Sequence, residues 1–321
     1  MNRRSLGQSD IQITPVILGT WQAGKRGWVD IEDQAVIQAI RSAVEAGINT
    51  IDTAEVYGEG YSERIVGQAL SEVRSRVVYA TKVFANHLKY DQVISACEGS
   101  LKNLQTDYID LYQIHWPSGA FNSEIVPIEE TMQALTDLKQ QGKIRAIGVS
   151  NFSLEQLKEA MQYGQIDSIQ PPYSLFWRHI ERDLMPFCVE QNISILAYSS
   201  LAQGLLTGKF GRDLHLKEGD IRAKNKLFHG DAYERVQDAL DALRPIAERN
   251  QCTLAQLALA WLMAQPQTQA IAGARNSDQA VQNAKAMTVQ LSAEDLKAID
   301  AIGRTVTEPL DDNPIMWDFA S

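Results

Sequence analysis

The chain has 321 residues, 45% of them hydrophobic and 22% charged, with a formal net charge of −10. This composition suits a large buried core under an ordinary hydrated surface, and no run approaches the roughly 18 uncharged apolar residues of a membrane-spanning helix. The acid excess argues against nucleic acid as a partner, because phosphate binding rests on surplus Lys and Arg.

In chain order, Arg3-Arg4 could open an export signal, but Gly7, Gln8, Ser9, Asp10 and Gln12 interrupt the apolar segment that must follow. Residues 2–14 pattern instead as a small hairpin. Strand-like apolar runs then fall at 16–18, 50–53, 77–83, 109–115, 144–149, 168–170, 193–198 and 270–272. Between them lie segments of helical spacing, such as Val36, Ile40 and Val44, then Met132, Leu135 and Leu138, then Leu254, Leu257, Ala258 and Trp261. Ala46-Gly47 closes one helix, Ser62-Glu63 opens another and Ser153 a third.

Strands alternating with helices imply parallel βαβ units that close right-handed. Eight of them fit an α/β chain folded as a (β/α)8 TIM barrel, expected as a single domain over residues 1–321 with the hairpin in front. Residues 199–230 form a long connection with little periodicity, and loops of that length inside a compact domain usually serve function. Cys97, Cys188 and Cys252 are odd in number and widely spaced, which fits reduced thiols and a cytoplasmic location. The five histidines lack metal-binding spacing, so no metal is expected.

Two phosphate-binding motifs nearly match and fail. Gly58-Glu59-Gly60-Tyr61-Ser62-Glu63 begins like a dinucleotide fingerprint, with Glu63 where the third glycine is required. Gly204-Leu205-Leu206-Thr207-Gly208-Lys209-Phe210 has one residue too few between its glycines, and Phe210 replaces the magnesium-binding Ser or Thr. Any nucleotide must be held by another geometry.

Four polar residues stand at or just beyond the C-terminal ends of three consecutive predicted strands: Asp52, Tyr57, Lys82 and His115. That face carries the active site in α/β barrels. Asp52 also reads as a turn residue, Tyr57 as a loop aromatic and His115 as a satisfied buried histidine. Lys82 is harder to dismiss, because lysine in an apolar strand is almost never buried unpaired, and Asp52 is the nearest opposite charge. Together the four suit carbonyl reduction, in which charge arriving on the oxygen needs a proton donor and fixed dipoles. A cation about 4 Å from a phenol, at an effective dielectric of about 20, contributes about 4 kcal/mol. Lys82 is therefore expected to bring the Tyr57 pKa towards ~7.

The stretch Gly47-x-Asn49-Thr50-x-Asp52-Thr53-Ala54-x-x-Tyr57-Gly58 resembles the aldo-keto reductase signature. So do residues 109–115 (IDLYQIH), 142–152 (GKIRAIGVSNF) and 197–209 (AYSSLAQGLLTGK), and the resemblance runs from about Gly7 to Gly303. It is nearest to bacterial general-stress and inositol-locus reductases, which are related to potassium-channel β subunits. It implies the tetrad Asp52, Tyr57, Lys82 and His115, and a nicotinamide dinucleotide bound without a Rossmann domain. By the same resemblance Ser150, Asn151 and Gln170 hold the carboxamide, Tyr198 stacks on the nicotinamide, and Gly19, Thr20 and Trp21 flank that end, with Asp52 close by. The loop with Ser199, Ser200, Leu201, Gln203, Gly204, Lys209 and Arg222 wraps the pyrophosphate. Gly273, Arg275, Gln279 and Asn283 open the last barrel helix, where amides favour phosphate. Plainer readings stand beside these: a helix cap at Ser150-Asn151, core packing for Tyr198, a solvated Arg222 and a polar surface helix at the end.

The implied substrate is a small carbonyl compound touching Trp21, Tyr57, His115 and Trp116. Trp21, Trp116, Phe121, Phe176 and Trp177 are candidates for an apolar mouth or for plain packing. The tail 311–321, with Trp317 and Phe319, is placed over the pocket or over a neighbouring subunit. The leading function is an NADPH-dependent reductase, with NADH bound more weakly because Arg275 suits a 2′-phosphate. A cofactor-sensing binding subunit and a barrel isomerase or hydrolase are the other classes. Neither nucleic acid nor membrane is an expected partner, and the oligomeric state is open.

Overall fold

The computed structural model describes residues 3–25 and 31–316. The chain opens on β1 (Arg4–Ser5), paired antiparallel with β2 (Gln12–Ile13). Strands and helices then alternate: β3 (Val16–Gly19), α1 (Asp33–Glu45), β4 (Thr50–Asp52), α2 (Tyr61–Leu70), β5 (Val78–Val83), α3 (Tyr90–Leu104) and β6 (Ile109–Ile114). The alternation continues through α4 (Ile128–Gln140), β7 (Ile144–Ser150), α5 (Leu154–Ala160), β8 (Ser168–Gln170), α6 (Leu184–Glu190) and β9 (Ser194–Ala197). After the long connection come α7 (Gly230–Arg249), α8 (Leu254–Met263), β10 (Thr268–Gly273), α9 (Ser277–Lys285) and α10 (Ala293–Thr307). Strands β3 to β10 close into one barrel, shut by parallel pairing of β10 with β3, Ala270 opposite Val16. This is the (β/α)8 barrel with a leading hairpin that the alternating pattern implies.

The strands are covered on both faces, so they read as near-continuous apolar runs. Where a strand end is polar, the run underestimates it. Thr268 and Gln269 pair with Ile195 and Leu196, which carries β10 further towards its N-terminus than residues 270–272. Helix starts follow capping chemistry. Ser153 accepts from the Gln156 N–H while Gln156 reaches back, and Thr253 and Gln256 do the same for α8. Nearly every side chain of α8 is buried, in keeping with its position against β10, α7 and α9.

The two ends of the barrel differ. At the N-terminal end, Leu6, Ile11 and Ile13 of the hairpin plug the opening against Ile17, Val78, Leu111 and Leu196. Arg4 stitches the plug to the carbonyls of Thr268 and Met263. Nearby, the buried Asp110 carboxylate accepts from Arg74, Arg145 and the Tyr79 N–H. The other end carries the long connection, wound into short 3-10 turns at Ala202–Thr207, Ile221–Lys224 and Lys226–Phe228. No described helix is long and apolar enough to cross a membrane. Trp317 and Phe319 lie outside the described residues.

Candidate active site

Strands β4 and β5 end on or next to Asp52 and Lys82, and His115 follows β6, so the three reach the same rim. Tyr57 arrives on the turn after β4. Gly58 there has φ +64°, and a Cβ on Gly24 would lie 2.7 Å from the Tyr57 carbonyl carbon. Only bare backbone at Gly24 allows the turn to sit this close.

Lys82 is wholly buried, and its Nζ donates to Asp52 Oδ1 and to the Thr53 carbonyl, both at 2.7 Å. An ammonium has three donors, and the Tyr57 ring centroid is 5.3 Å from Nζ. Burial draws the Lys82 pKa down, opposed by Asp52. Asp52 Oδ2 accepts from Gln170 Nε2 at 2.9 Å and from Gln113 Nε2 at 3.4 Å.

The expected fall of the Tyr57 pKa towards ~7 is not what the structure holds. Burial, followed by the Asp52 charge, keeps the phenol well above its ordinary value of 10.0. The Lys82 charge is largely answered by Asp52, so desolvation dominates. Tyr57 is thus a neutral phenol. His115 is neutral too: burial and then Lys82 hold its pKa well below 6.5. Its Nδ1 is buried without a hydrogen-bond partner. A stranded lone pair costs less than a stranded N–H, which assigns the ring proton to Nε2.

The residues expected around the nicotinamide do come together. Asn151, at φ +60°, donates from Nδ2 to the His115 carbonyl at 3.0 Å and accepts from the Tyr198 hydroxyl at 2.8 Å. Ser150 donates to the Gln170 carbonyl at 2.8 Å. These bonds tie β7, β8 and β9 together at the rim. Two more of the expected residues brace the rim. The Thr20 hydroxyl bonds the Asp52 carbonyl and Ser62, bracing β3 against β4 beside Gly19. The Ser200 hydroxyl donates to the Ile271 carbonyl at 2.5 Å, fixing the start of the loop to β10.

In the long connection Ser199 and Gln203 adopt positive φ, and Gly204 has φ +100°. Leu201 begins this turn, and Gln203 accepts from Asn225 at 3.0 Å. Lys209 is exposed. Arg222 is not merely solvated: its Nε reaches Asp220 at 2.9 and 3.1 Å, and its guanidinium sits 5.0 Å over the Phe210 ring. That bond holds the Asp220 carboxyl below its usual range, with a smaller contribution from Arg275. Gln279 accepts from the Arg275 N–H and Asn283 donates to the Gly273 carbonyl, shaping the turn from β10 into α9.

Does this end suit a dinucleotide? A Cβ on Gly273 would fall 2.9 Å from the Gln22 amide, and one on Gly204 would touch the Phe210 ring at 3.4 Å. Those side chains shape the surroundings, and Arg222 and Arg275, both beside Asp220 at the approach to α9, make a cationic set that fits a phosphate-bearing group.

The aromatic mouth gathers differently from the sequence expectation. Phe84 packs edge-on to His115 at 5.6 Å and beside Phe121 at 5.4 Å, while Trp116 crosses Phe121 at 5.1 Å. Trp21 lies 6.4 Å from Tyr57. Phe176 and Trp177 are instead buried in the core, the Trp177 N–H held by the Pro314 carbonyl. Phe84 and Gln113 were missed from sequence, Phe84 as one more loop aromatic and Gln113 as an unremarkable amide in a strand motif. Among the described residues no cluster could hold a metal ion.

Comparison with known proteins finds relatives along nearly the whole chain. The chain is 37% identical over 317 residues to the NADH-specific methylglyoxal reductase of Escherichia coli, covering 92% of this chain and 96% of that protein. The glycerol dehydrogenase AKR11B4 from Gluconobacter oxydans superposes with a TM-score of 0.87 at 36% identity, covering 97% and 98% of the two chains. An aldo/keto reductase from Klebsiella pneumoniae, solved with NADP and acetate, gives 0.74 at 33% identity over 96% and 95%. The family model of aldo/keto reductases matches residues 15–304, from the first barrel strand into the last helix. A barrel closed at one end, bearing a buried Lys–Asp pair beneath a tyrosine at the other, is here joined to that match, and the chain belongs to the aldo/keto reductase family of NAD(P)H-dependent oxidoreductases.

Proposed function

We propose that this chain is a cytoplasmic, single-domain, NADPH-dependent reductase of aldehydes or ketones, with Tyr57 as general acid supported by Lys82, Asp52 and His115. The observation that carries the reading is Lys82, wholly buried, clamped by Asp52 and set 5.3 Å from the ring of Tyr57. A bound nicotinamide would supply the hydride. Tyr57 then gives its proton to the carbonyl oxygen. The carbonyl oxygen gains basicity as the hydride arrives, and that draws the proton from the phenol. The Lys82 ammonium stabilises the phenolate left behind, and Asp52 keeps that ammonium charged and in place. Neutral His115 offers its Nε2–H to the same oxygen without competing as an acid.

Ser150, Asn151 and Gln170 would hold the carboxamide, and Tyr198 the ring face, flanked by Gly19, Thr20 and Trp21. Backbone groups of Ser199 to Gly204, with Lys209 and Arg222, would take the pyrophosphate. Arg275, with Gly273, Gln279 and Asn283, would take the adenosine end. NADPH preference rests on Arg275 at the α9 start and on the NADP bound by the Klebsiella relative. The NADH-specific E. coli relative makes that preference the part to test. The carbonyl compound would touch Trp21, Tyr57, His115 and Trp116. The test is oxidation of NADPH, and of NADH in parallel, with an activated aromatic aldehyde. Turnover supports the reductase, tight binding without turnover favours a cofactor sensor, and failure to bind either cofactor removes the reading.

A further inference from the structure

Gln113 lies within β6, completely enclosed, and none of the roles above uses it. Strand register sets Lys82, Gln113, Gly148 and Ser168 abreast across β5 to β8. The Gln113 amide faces two groups at once. Its Nε2 is 3.4 Å from Asp52 Oδ2, and its Oε1 is 3.3 Å from Gln170 Nε2. Gln170 Nε2 itself donates to that same Asp52 oxygen at 2.9 Å. The three side chains therefore close a ring of hydrogen bonds below the rim.

Only a side chain carrying both a donor and an acceptor satisfies a carboxylate oxygen on one side and an amide N–H on the other. Glutamate would set a second negative charge against Asp52, and an aliphatic residue would leave Asp52 and Gln170 each one partner short in a dry interior. The neighbouring strand makes room for this amide: a Cβ on Gly148 would fall 3.0 Å from Gln113 Cγ and 2.4 Å from Ser168 Oγ.

We infer that Gln113 is a positioning residue for the reduction. From beneath, it turns the Asp52 carboxylate so that Oδ1 serves Lys82, and it fixes the amide of Gln170 in the rotamer offered to the cofactor. This rests on the reductase reading above, through the parts that reading gives to Asp52 and Gln170. Gln113 thereby links the proton-donating end of the site to its cofactor-holding end.

The test uses the full-length protein with Gln113→Leu, and with Gln113→Met, unbranched and of similar length, as the second variant. Both contacts are long, so the expected effects are moderate: about three- to tenfold lower kcat, with KM for the carbonyl little changed. The Kd for NADP+, read by fluorescence titration without turnover, is expected to rise by a similar factor of about three to ten. In a Gln170→Leu background the same substitution no longer changes that Kd, because the contact it acts through is gone. Lower thermal stability with unchanged kcat and unchanged Kd would mean that Gln113 only fills the barrel, and the inference would fall. A loss of affinity that adds in full to that of Gln170→Leu would overturn it equally. Tyr57→Phe, measured alongside, separates this inference from the reading beneath it. An inert Tyr57→Phe with a normal Gln113→Leu removes the inference alone, whereas an active Tyr57→Phe removes the reductase assignment of the acid.

Discussion

The imidazole of His115 stands edge-on to the ring of Tyr57, with centroids 5.6 Å apart and planes crossed at 80°. Edge-to-face contact suits the ring quadrupoles and fixes both side chains. It also brings the phenol and the imidazole, both neutral, side by side, as the proposed reduction requires of two donors to one oxygen.

Tyr57→Phe keeps this ring contact and removes only the proton. Reduction is expected to slow by about 10²–10⁴-fold, the contribution of a positioned acid, while the Kd for NADPH stays near that of the parent. Stopped-flow kinetics and a binding titration check the two halves. A variant with near-parental kcat would show that the proton comes from elsewhere.

Lys82→Met tests whether the buried pair serves stability, chemistry or both. Removing one partner strands the Asp52 charge in the barrel, which costs about 3–5 kcal/mol. The double variant Lys82→Met/Asp52→Asn has no stranded charge, so most of that stability returns. Catalysis does not return, because the cation beside Tyr57 is still missing. Urea denaturation with kcat measured on all three proteins decides it, and recovery of activity in the double variant would contradict the role given to Lys82.

Neutral His115 carries a pH signature. Its folded-state pKa is depressed well below 6.5 by burial and then by Lys82. Between that value and 6.5 the unfolded chain binds a proton that the folded chain refuses, so the unfolding free energy rises with pH and this contribution is lost as pH falls. The slope from one such group approaches about 1.4 kcal/mol per pH unit. Stability of the parent minus that of His115→Gln should therefore grow as pH is raised from about 5 to about 7. Parallel stability curves for the two proteins would contradict a neutral buried imidazole.

Arg275→Ala addresses the choice of cofactor. If Arg275 reads the 2′-phosphate, NADPH is preferred by about ten- to a hundredfold, or roughly 1.5–3 kcal/mol. The substitution then weakens NADPH binding by about that factor and leaves NADH nearly untouched. Equal losses for both cofactors would mean that Arg275 supports the turn into α9 instead.

Lys82 was legible in the sequence because a lysine inside an apolar strand demands a partner, and Asp52 is the carboxylate that meets it. Tyr57 and His115 were legible only through the motif around them, since a loop aromatic and a strand-end histidine are individually ordinary. The raised pKa of Tyr57 was not legible. Sequence names the nearby charges and their pairing, but it does not show that burial outweighs them at the phenol. Phe176 and Trp177 were candidates for the mouth because a long loop does not declare which of its aromatics turn inward. Gln113 stayed hidden for a simpler reason: an uncharged amide raises no conflict in a strand until its neighbours are known.

The hairpin plug has a consequence for traffic. With Leu6, Ile11 and Ile13 packed into the far opening, the described residues leave no passage at that end of the barrel. On the proposed reading, an alcohol formed beside His115 leaves by the same rim, near Trp116 and Phe121, at which the next carbonyl compound enters. Entry and exit cannot overlap, so accumulated alcohol is expected to compete with its own precursor for the mouth. Turnover late in a reaction would then be limited by congestion at the rim and not by exhaustion of the reactant.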